Sequence, residues 1–307
     1  MILSASRRTD IPRWYMLWFM NRIRAGYAVM QNPMNASQFF RVDLSPDAVD
    51  CIVFWSKDPQ PALACLPELD DRGYKYYFQW TLTPYGKDIE PFLRMKGEIE
   101  ETFVDLSRQI GRNRVVWRYD PIILNSDFTI AWHKAQFLRM CEKIGDYTDT
   151  VTISFVDLYA KLHANELHPI STEEMNELAA FIGSTAQKFG LRAVACSEAG
   201  DFSAFGVERA SCIDQHRIEK ILGCALQIPK DKNQRSGCGC CQSIDIGAYN
   251  TCPSGCMYCY ANNSPKAAKA RFLAHDPLAE MISGNVPEGA VIRDRKAESF
   301  QTGQIKW

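Results

Sequence analysis

The sequence predicts an α/β fold, a full or partial (β/α) barrel, on three observations. Short apolar segments rich in β-branched and aromatic residues alternate along the chain with longer amphipathic ones. One of them, Cys51-Ile52-Val53-Phe54-Trp55, is apolar at every position, as in a parallel strand covered on both faces. Turn and cap residues separate the two kinds of segment, and strands alternating with helices imply parallel pairing with helical crossovers.

Taken in order, Ile2 to Ser6 reads as a buried strand, followed by the polar run Arg7-Arg8-Thr9-Asp10. Pro12 then sits near the first turn of a helix expected to reach Arg24. Residues 27–33 and 38–44 predict a β-hairpin with Asn and Pro at the bend. Strand 51–55 is followed by Ser56-Lys57-Asp58-Pro59 and a helix near 60–71. Tyr74 to Leu82 is a strand, 87–111 a helix, and Arg114 to Tyr119 a strand that ends in Asp120-Pro121. A helix near 128–145 precedes the β-branched strand Thr150 to Phe155. Ser171 and Glu174 form a capping box for a helix that runs to Phe189 and stops at Gly190. Leu191 to Ala195 is a strand, 214–223 a helix, Ser243 to Tyr249 the last strand and 265–283 the last helix. Seven strands suit the barrel, eight if 27–33 joins it. Residues 1–285 are expected to form one domain, with a cysteine-rich segment at 196–259 and a polar tail at 286–307.

Bulk properties narrow the function. The chain has 307 residues, of which 46% are hydrophobic, enough for a sizeable core. A net charge of −1 supplies no field that would draw the whole molecule to nucleic acid or to an anionic membrane. Arg7 and Arg8 interrupt the N-terminus too early for a signal peptide, and no apolar run is long enough for a membrane span. The expected location is the cytoplasm. Eight of the twelve cysteines lie between 212 and 259, and in a reducing compartment such crowding argues for metal rather than disulfides.

Part of that crowding is the run Thr251-Cys252-Pro253-Ser254-Gly255-Cys256-Met257-Tyr258-Cys259-Tyr260-Ala261, where the spacing is C-x3-C-x2-C. Three thiolates so close can hold three irons of a [4Fe–4S] cubane and leave the fourth open, whereas most such clusters take a fourth cysteine. Zinc knuckles usually carry paired C-x2-C units or histidines. The run resembles the radical S-adenosylmethionine (SAM) superfamily, most of all its spore photoproduct lyase-like members. The resemblance implies that Cys252, Cys256 and Cys259 carry the cluster. The open iron would chelate the amino and carboxylate groups of SAM, and one electron would cleave SAM to a 5′-deoxyadenosyl radical. Tyr258 would pack against the adenine, and a flavodoxin- or ferredoxin-type donor would supply the electron. Nearly the whole chain, from Ser6-Arg7-Arg8-Thr9-Asp10-Ile11-Pro12 to Asp245-Ile246-Gly247-Ala248-Tyr249-Asn250-Thr251-Cys252, resembles the family called domain of unknown function 1848.

In that superfamily the motif follows the first barrel strand, near the N-terminus. Here it follows 243–249, so the resemblance implies a circularly permuted barrel in which strand 2–6 takes second place. Strands 2–6 and 243–249 are then expected to pair in parallel. Arg7, Arg8 and Asp10 would lie where SAM is bound, although the Gly-Gly-Glu triplet common at that loop is missing. Active groups in such barrels lie at C-terminal strand ends. Here those are Trp55, Ser56, Lys57, Gln79 and Thr81, then Arg118 and Asp120, then Ser154, Asp157, Ser197 and Glu198.

A second cysteine set precedes the motif. Cys196, Cys212, Cys238 and Cys240 are the candidates for an auxiliary [4Fe–4S] cluster or a structural zinc, with Gly239 giving the C-G-C turn its freedom. Cys224 is expected on an apolar helix, and one of the adjacent Cys240 and Cys241 is spare. The histidines show no metal spacing, and His163 and His168 read as capping or surface residues. The expected function is reductive cleavage of SAM for a radical reaction on an unassigned substrate, with damaged nucleic acid suggested only by the resemblance. The alternative is a non-catalytic zinc or Fe–S binding or sensing protein.

Overall fold

The computed structural model describes residues 1–157, 169–235 and 237–305, so the expectations for His163 and His168 lie outside the described residues. The main sheet has eight strands, and every pairing in it is parallel. In chain order they are β1 (Ile2–Ala5), β4 (Cys51–Ser56), β5 (Tyr76–Thr81), β6 (Val115–Ile122), β7 (Thr150–Phe155), β8 (Arg192–Ala195), β9 (Val207–Arg209) and β11 (Ile244–Asp245). Their spatial order is β11-β1-β4-β5-β6-β7-β8-β9. The expected parallel pairing at the N-terminal strand is present: Leu3 faces Ile244 and Ser4 faces Asp245.

Three expectations need correction. The sheet is open, with β11 and β9 as its edges, so the full barrel is not closed among the described residues. The hairpin forms from β2 (Tyr27–Asn32) and β3 (Asn35–Asp43), but it stands outside the main sheet. The eighth strand is β9, which was missed because three residues carry no readable period.

The described part of the expected tail, 286–305, is not free. Its strand β12 (Ile292–Arg295) pairs in parallel with β3, and β13 (Gln301–Ile305) pairs antiparallel with β10 (Cys224–Leu226). Asp50 holds it there by accepting from Ser299 Oγ (2.5 Å), Phe300 N (2.8 Å) and Gln301 Nε2 (3.1 Å). Cys224 therefore lies on a strand and not on a helix.

Strand alternation divides the core in two. Leu3, Ile52, Phe54, Tyr76, Phe78 and Trp80 belong to a large cluster with the helices. That helical layer contains α1 (Ile11–Trp14), α2 (Met16–Ala25), α3 (Gln60–Leu63) and α4 (Leu66–Asp71). It continues with α5 (Lys96–Ile110), α6 (Ile130–Ile144) and α7 (Thr172–Lys188). Phe103 and Leu106 of α5, Phe137 and Met140 of α6, and Leu178 and Ile182 of α7 recur at helical spacing and are buried. Each such side chain contributes about 1.5–3 kcal/mol by leaving water. On the other face Ile2, Cys51, Val53, Tyr77 and Val116 pack against Cys212, Ile213, Cys240, Cys241 and Ile218. Ile218 lies on α8 (Gln215–Leu222), and α9 (Pro265–Leu273) follows the cysteine motif. No described helix is long and apolar enough to cross a membrane.

Side-chain caps set several helix starts. Thr129 accepts from Trp132 N at 3.2 Å, Ser264 caps α9, and Ser171 and Glu174 form the expected capping box. Gly183 sits in mid-helix for a packing reason: a Cβ there would lie 1.9 Å from the Phe205 carbonyl oxygen. Gly183→Ala should therefore lower stability by about 1–3 kcal/mol in urea unfolding; an unchanged midpoint would mean that this contact is slack.

His133 on α6 is buried between Tyr119 and Ile123. The Ile123 carbonyl, 2.7 Å from Nε2, fixes the proton there, so Nδ1 accepts from Tyr119 Oη at 2.8 Å. Burial pushes its pKa down from 6.5 to about 4. The unfolded chain then binds the proton more tightly, so stability is complete above about pH 6.5 and falls toward pH 4. The loss should approach about 3 kcal/mol relative to His133→Gln over that interval; parallel pH profiles for the two proteins would contradict it.

Candidate functional site

The C-terminal ends of the parallel strands open into one cavity of about 360 Å3. Loops after both edge strands reach it, so the sheet brings its two ends to a common space. Every strand-end residue singled out in the sequence lines it except Gln79, which is buried beneath with Nε2 donating to the Cys212 carbonyl at 2.7 Å. The two candidate cysteine sets line it together: Cys252, Cys256 and Cys259 on one side, Cys196, Cys212, Cys238 and Cys240 on the other.

Asp245 at the end of β11 positions the first set. It accepts from Ser4 Oγ (2.9 Å), Ser6 Oγ (2.5 Å) and Arg7 N (2.8 Å), which locks the loop after β1 to the strand before the motif. Gly247 keeps the two in contact, since a Cβ there would lie 2.1 Å from Ser6 Oγ. The motif then folds back on itself. Asn250 N donates to Ala261 O at 3.0 Å, Asn262 Nδ2 to Cys252 O at 2.6 Å and Cys259 N to Cys256 O at 3.1 Å. Outside anchors come from Trp14 Nε1 to Ser254 Oγ (2.8 Å), Tyr15 Oη to Thr251 O (2.6 Å) and Met257 N to Ile89 O (3.0 Å). Gly255 has φ +68°, and a Cβ there would meet the Phe92 ring at 2.8 Å, so the turn between the first two cysteines requires glycine.

Burial raises the Cys252 thiol to about 11, with Asp10 adding to it. Burial also raises Cys256 well above its ordinary range, against the pull of Lys57. In the free chain these two are thiols at neutral pH, so a bound metal must displace protons.

Beside Cys256 lies a buried polar network. Glu90 pairs with Lys57 (2.8 Å) and with Lys96, and Tyr258 Oη donates to the same carboxylate. Lys57 Nζ also contacts Tyr258 Oη and lies 4.8 Å from its ring centre. Burial alone would raise Glu90; the two ammonium groups overcome that and hold it at about 2. Tyr258 is thus held by its hydroxyl end while it lines the cavity.

The remaining predicted contacts differ in how free they are. Both Asp10 oxygens are engaged, with Ser56 Oγ (2.7 Å), Lys57 N (2.9 Å) and, as the cap of α1, Arg13 N (3.1 Å). That carboxylate fastens the β1 and β4 loops together. Arg8 Nη1 donates to Gly247 O at 3.4 Å. The Arg7 guanidinium lies 5.1 Å from the Trp55 ring centre, and its buried Nη2 has no hydrogen-bond partner among the described residues.

In the second set Cys196 and Cys212 are 3.1 Å apart at sulfur, and Arg118 Nη1 donates to Cys212 Sγ at 2.9 Å. Cys240 Sγ accepts from Ile213 N at 3.4 Å, whereas its neighbour Cys241 turns away and donates to Ile213 O at 3.2 Å. Ser197, beside Cys196, has φ +55°, a left-handed conformation uncommon for a residue with a side chain. Among the described residues, no three His, Cys, Asp or Glu side chains stand in the geometry that holds a single metal ion. The donor chemistry nonetheless suits soft metals: both sets offer sulfur alone, with Lys57, Arg7 and Arg118 close enough to offset thiolate charge.

Neither Glu90 nor Asp245 was singled out as a site residue in the sequence, although Asp245 opens the run that carries the family resemblance. Glu90 reads there as part of a helix at 87–111, but the helix begins at Lys96 and residues 82–95 form the loop that covers the motif. Neither residue belongs to a local pattern; each acts across more than 160 positions of chain. Glu90→Gln should cost about 3–5 kcal/mol in chemical denaturation, because it leaves the half-buried ammonium groups of Lys57 and Lys96 without their buried counter-charge. A loss below about 1 kcal/mol, the value of an exposed pair, would show that the network is hydrated.

No curated protein and no solved structure matches this chain. A family model, described as a domain of unknown function (DUF1848), matches residues 2–261, and the chain belongs to that family.

Proposed function

We propose that this chain is a radical SAM enzyme of circularly permuted architecture, with β11 as the barrel's first strand and β1 as its second. One observation carries the proposal. The parallel register of β1 with β11 sets the three-cysteine loop and the Arg7–Asp10 loop side by side at the C-terminal mouth of a parallel sheet. Cys252, Cys256 and Cys259 would hold a [4Fe–4S] cluster by three irons and leave the fourth for the amino and carboxylate groups of SAM. When bound, that group supplies the electron that splits the sulfonium into methionine and a 5′-deoxyadenosyl radical.

The chain's own residues have definable tasks. The Arg7 guanidinium, with its unpartnered Nη2, is suited to the SAM carboxylate. The ammonium of Lys57 offsets negative charge beside Cys256, and Glu90 fixes both Lys57 and the Tyr258 hydroxyl, so the Tyr258 ring is held ready for an adenine. The loop 82–95 packs on the motif, with Ile89 O accepting from Met257 N and Phe92 beside Gly255. The electron would come from a flavodoxin- or ferredoxin-type protein. A net charge of −1 gives nucleic acid no advantage over other substrates.

Anaerobic reconstitution with iron and sulfide tests the proposal. The chain should bind SAM and, with dithionite, release 5′-deoxyadenosine, and Cys256→Ala should abolish release by at least a hundredfold, about 2.7 kcal/mol at 1.36 kcal/mol per decade. A colourless zinc protein that leaves SAM intact under these conditions would end the proposal and favour a binding or sensing role.

A further inference from the structure

The motif accounts for three of the seven cysteines around the cavity; the other four come from separate places in the fold. Cys196 follows β8, Cys212 follows β9, and Cys238 and Cys240 lie on the chain that returns toward β11. Their sulfurs run in sequence. Cys196 touches Cys212 at 3.1 Å, Cys212 neighbours Cys240, and Cys240 is hydrogen-bonded to Cys238. A cysteine that merely packs behaves as a small hydrophobe, as Cys141 does in the main core. Cys212, Cys238 and Cys240 also pack in an apolar cluster, but there Cys212 accepts a hydrogen bond from a buried arginine.

Arg118 and Arg7 both lie over the Trp55 ring, at 5.4 and 5.1 Å from its centre. Arg118 is buried and donates to Cys212 Sγ at 2.9 Å. Its carboxylate partner is Asp120. Arg7 has no ion pair among the described residues, and its Nη2 is buried and unpartnered. Arg118 donates to sulfur while paired with Asp120, and Arg7 is drawn to Cys240 and Cys212 as well as to Asp245, so an anion at the sulfurs would complete the pairing of Arg118. Four thiolates on a divalent ion, or on a [4Fe–4S]2+ cluster, carry a net charge of −2 and would complete it.

We propose that Cys196, Cys212, Cys238 and Cys240 form a second metal site, closed by four protein sulfurs, with Arg118 beside Cys212 offsetting their charge. The shared chemistry is tetrathiolate ligation, which a [4Fe–4S] cluster or a zinc ion can satisfy. The 3.1 Å sulfur contact is shorter than the about 3.8 Å that bonds of 2.3 Å impose across a tetrahedral ion. Loading therefore spreads the sulfurs. There is room beside Gly237, where a Cβ would meet nothing within 4 Å. Gly239 keeps it seated on the other: a Cβ there would lie 2.5 Å from Ser211 Oγ, which donates to the Gly239 carbonyl at 2.9 Å. Cys241 is excluded because its sulfur is turned to Ile213 O. Its four ligands are distinct from the motif's three cysteines, so its metal content can be read separately from SAM cleavage.

Metal content of the full chain decides it. Iron, sulfide and zinc are measured per chain after anaerobic isolation and reconstitution, in the wild type, in Cys212→Ser/Cys240→Ser and in Cys256→Ala. The double variant should lose the second share, about four irons or about one zinc, and Cys256→Ala should retain it. Iron with sulfide identifies a cluster and zinc a single ion; either supports the site. A folded double variant that holds the full wild-type complement overturns it. Should that variant unfold, thiol alkylation of the loaded wild type takes its place. Cys196, Cys212, Cys238 and Cys240 should be protected until a chelator removes the metal, and equal labelling before and after overturns the proposal.

Discussion

The Asp245 carboxylate, at the end of β11, is the contact on which the site depends. It takes a hydroxyl from Ser4, a hydroxyl from Ser6 and the Arg7 amide, and so joins residues separated by about 240 positions of chain. Without it two short strands, β1 with four residues and the edge strand β11 with two, would have little to fix their register. With it, the loop that leaves β1 and the loop that leaves β11 are set side by side. The cysteine motif, the arginines after β1 and the cavity all follow from that junction.

Around the junction the protein uses buried charge as a positioning device. Glu90 collects Lys57, Lys96 and the Tyr258 hydroxyl; Asp10 joins the β1 and β4 loops; Asp58 receives Arg13 (2.5 Å) and Arg94 (2.5 Å). Such pairs contribute little net stability, because desolvation offsets attraction, but breaking one is expensive. They therefore hold loops to one arrangement better than they hold the fold together. The fold rests on the apolar layer between the sheet and α2, α5, α6 and α7.

Much of the architecture was legible in local sequence. Cys51 to Trp55 is apolar throughout because both faces of β4 are covered, and it is a strand in the fold. Ser171 and Glu174 announced the start of α7. The misreadings share a cause. Residues 87–95 have a helical composition but serve as a loop, because Glu90 is drawn to Lys57 and Tyr258 rather than to a helix face. Segment 286–307 is polar and looks unattached, yet Asp50 and strands β3 and β10 take hold of it. Tertiary partners override local preference in both.

The sequence by itself determined the chemistry on offer: two sets of cysteines with their spacing, basic residues after the first strand, and parallel strands joined by helices. Ligand type and periodicity are local properties, readable residue by residue. Only the tertiary structure decided that both sulfur sets face one cavity, that the arginines lie against Trp55 between them, and that Glu90 and Asp245 hold the walls in place. Those relations come from packing a parallel sheet whose neighbouring strands β1 and β11 are far apart in the chain, and no window of sequence contains them.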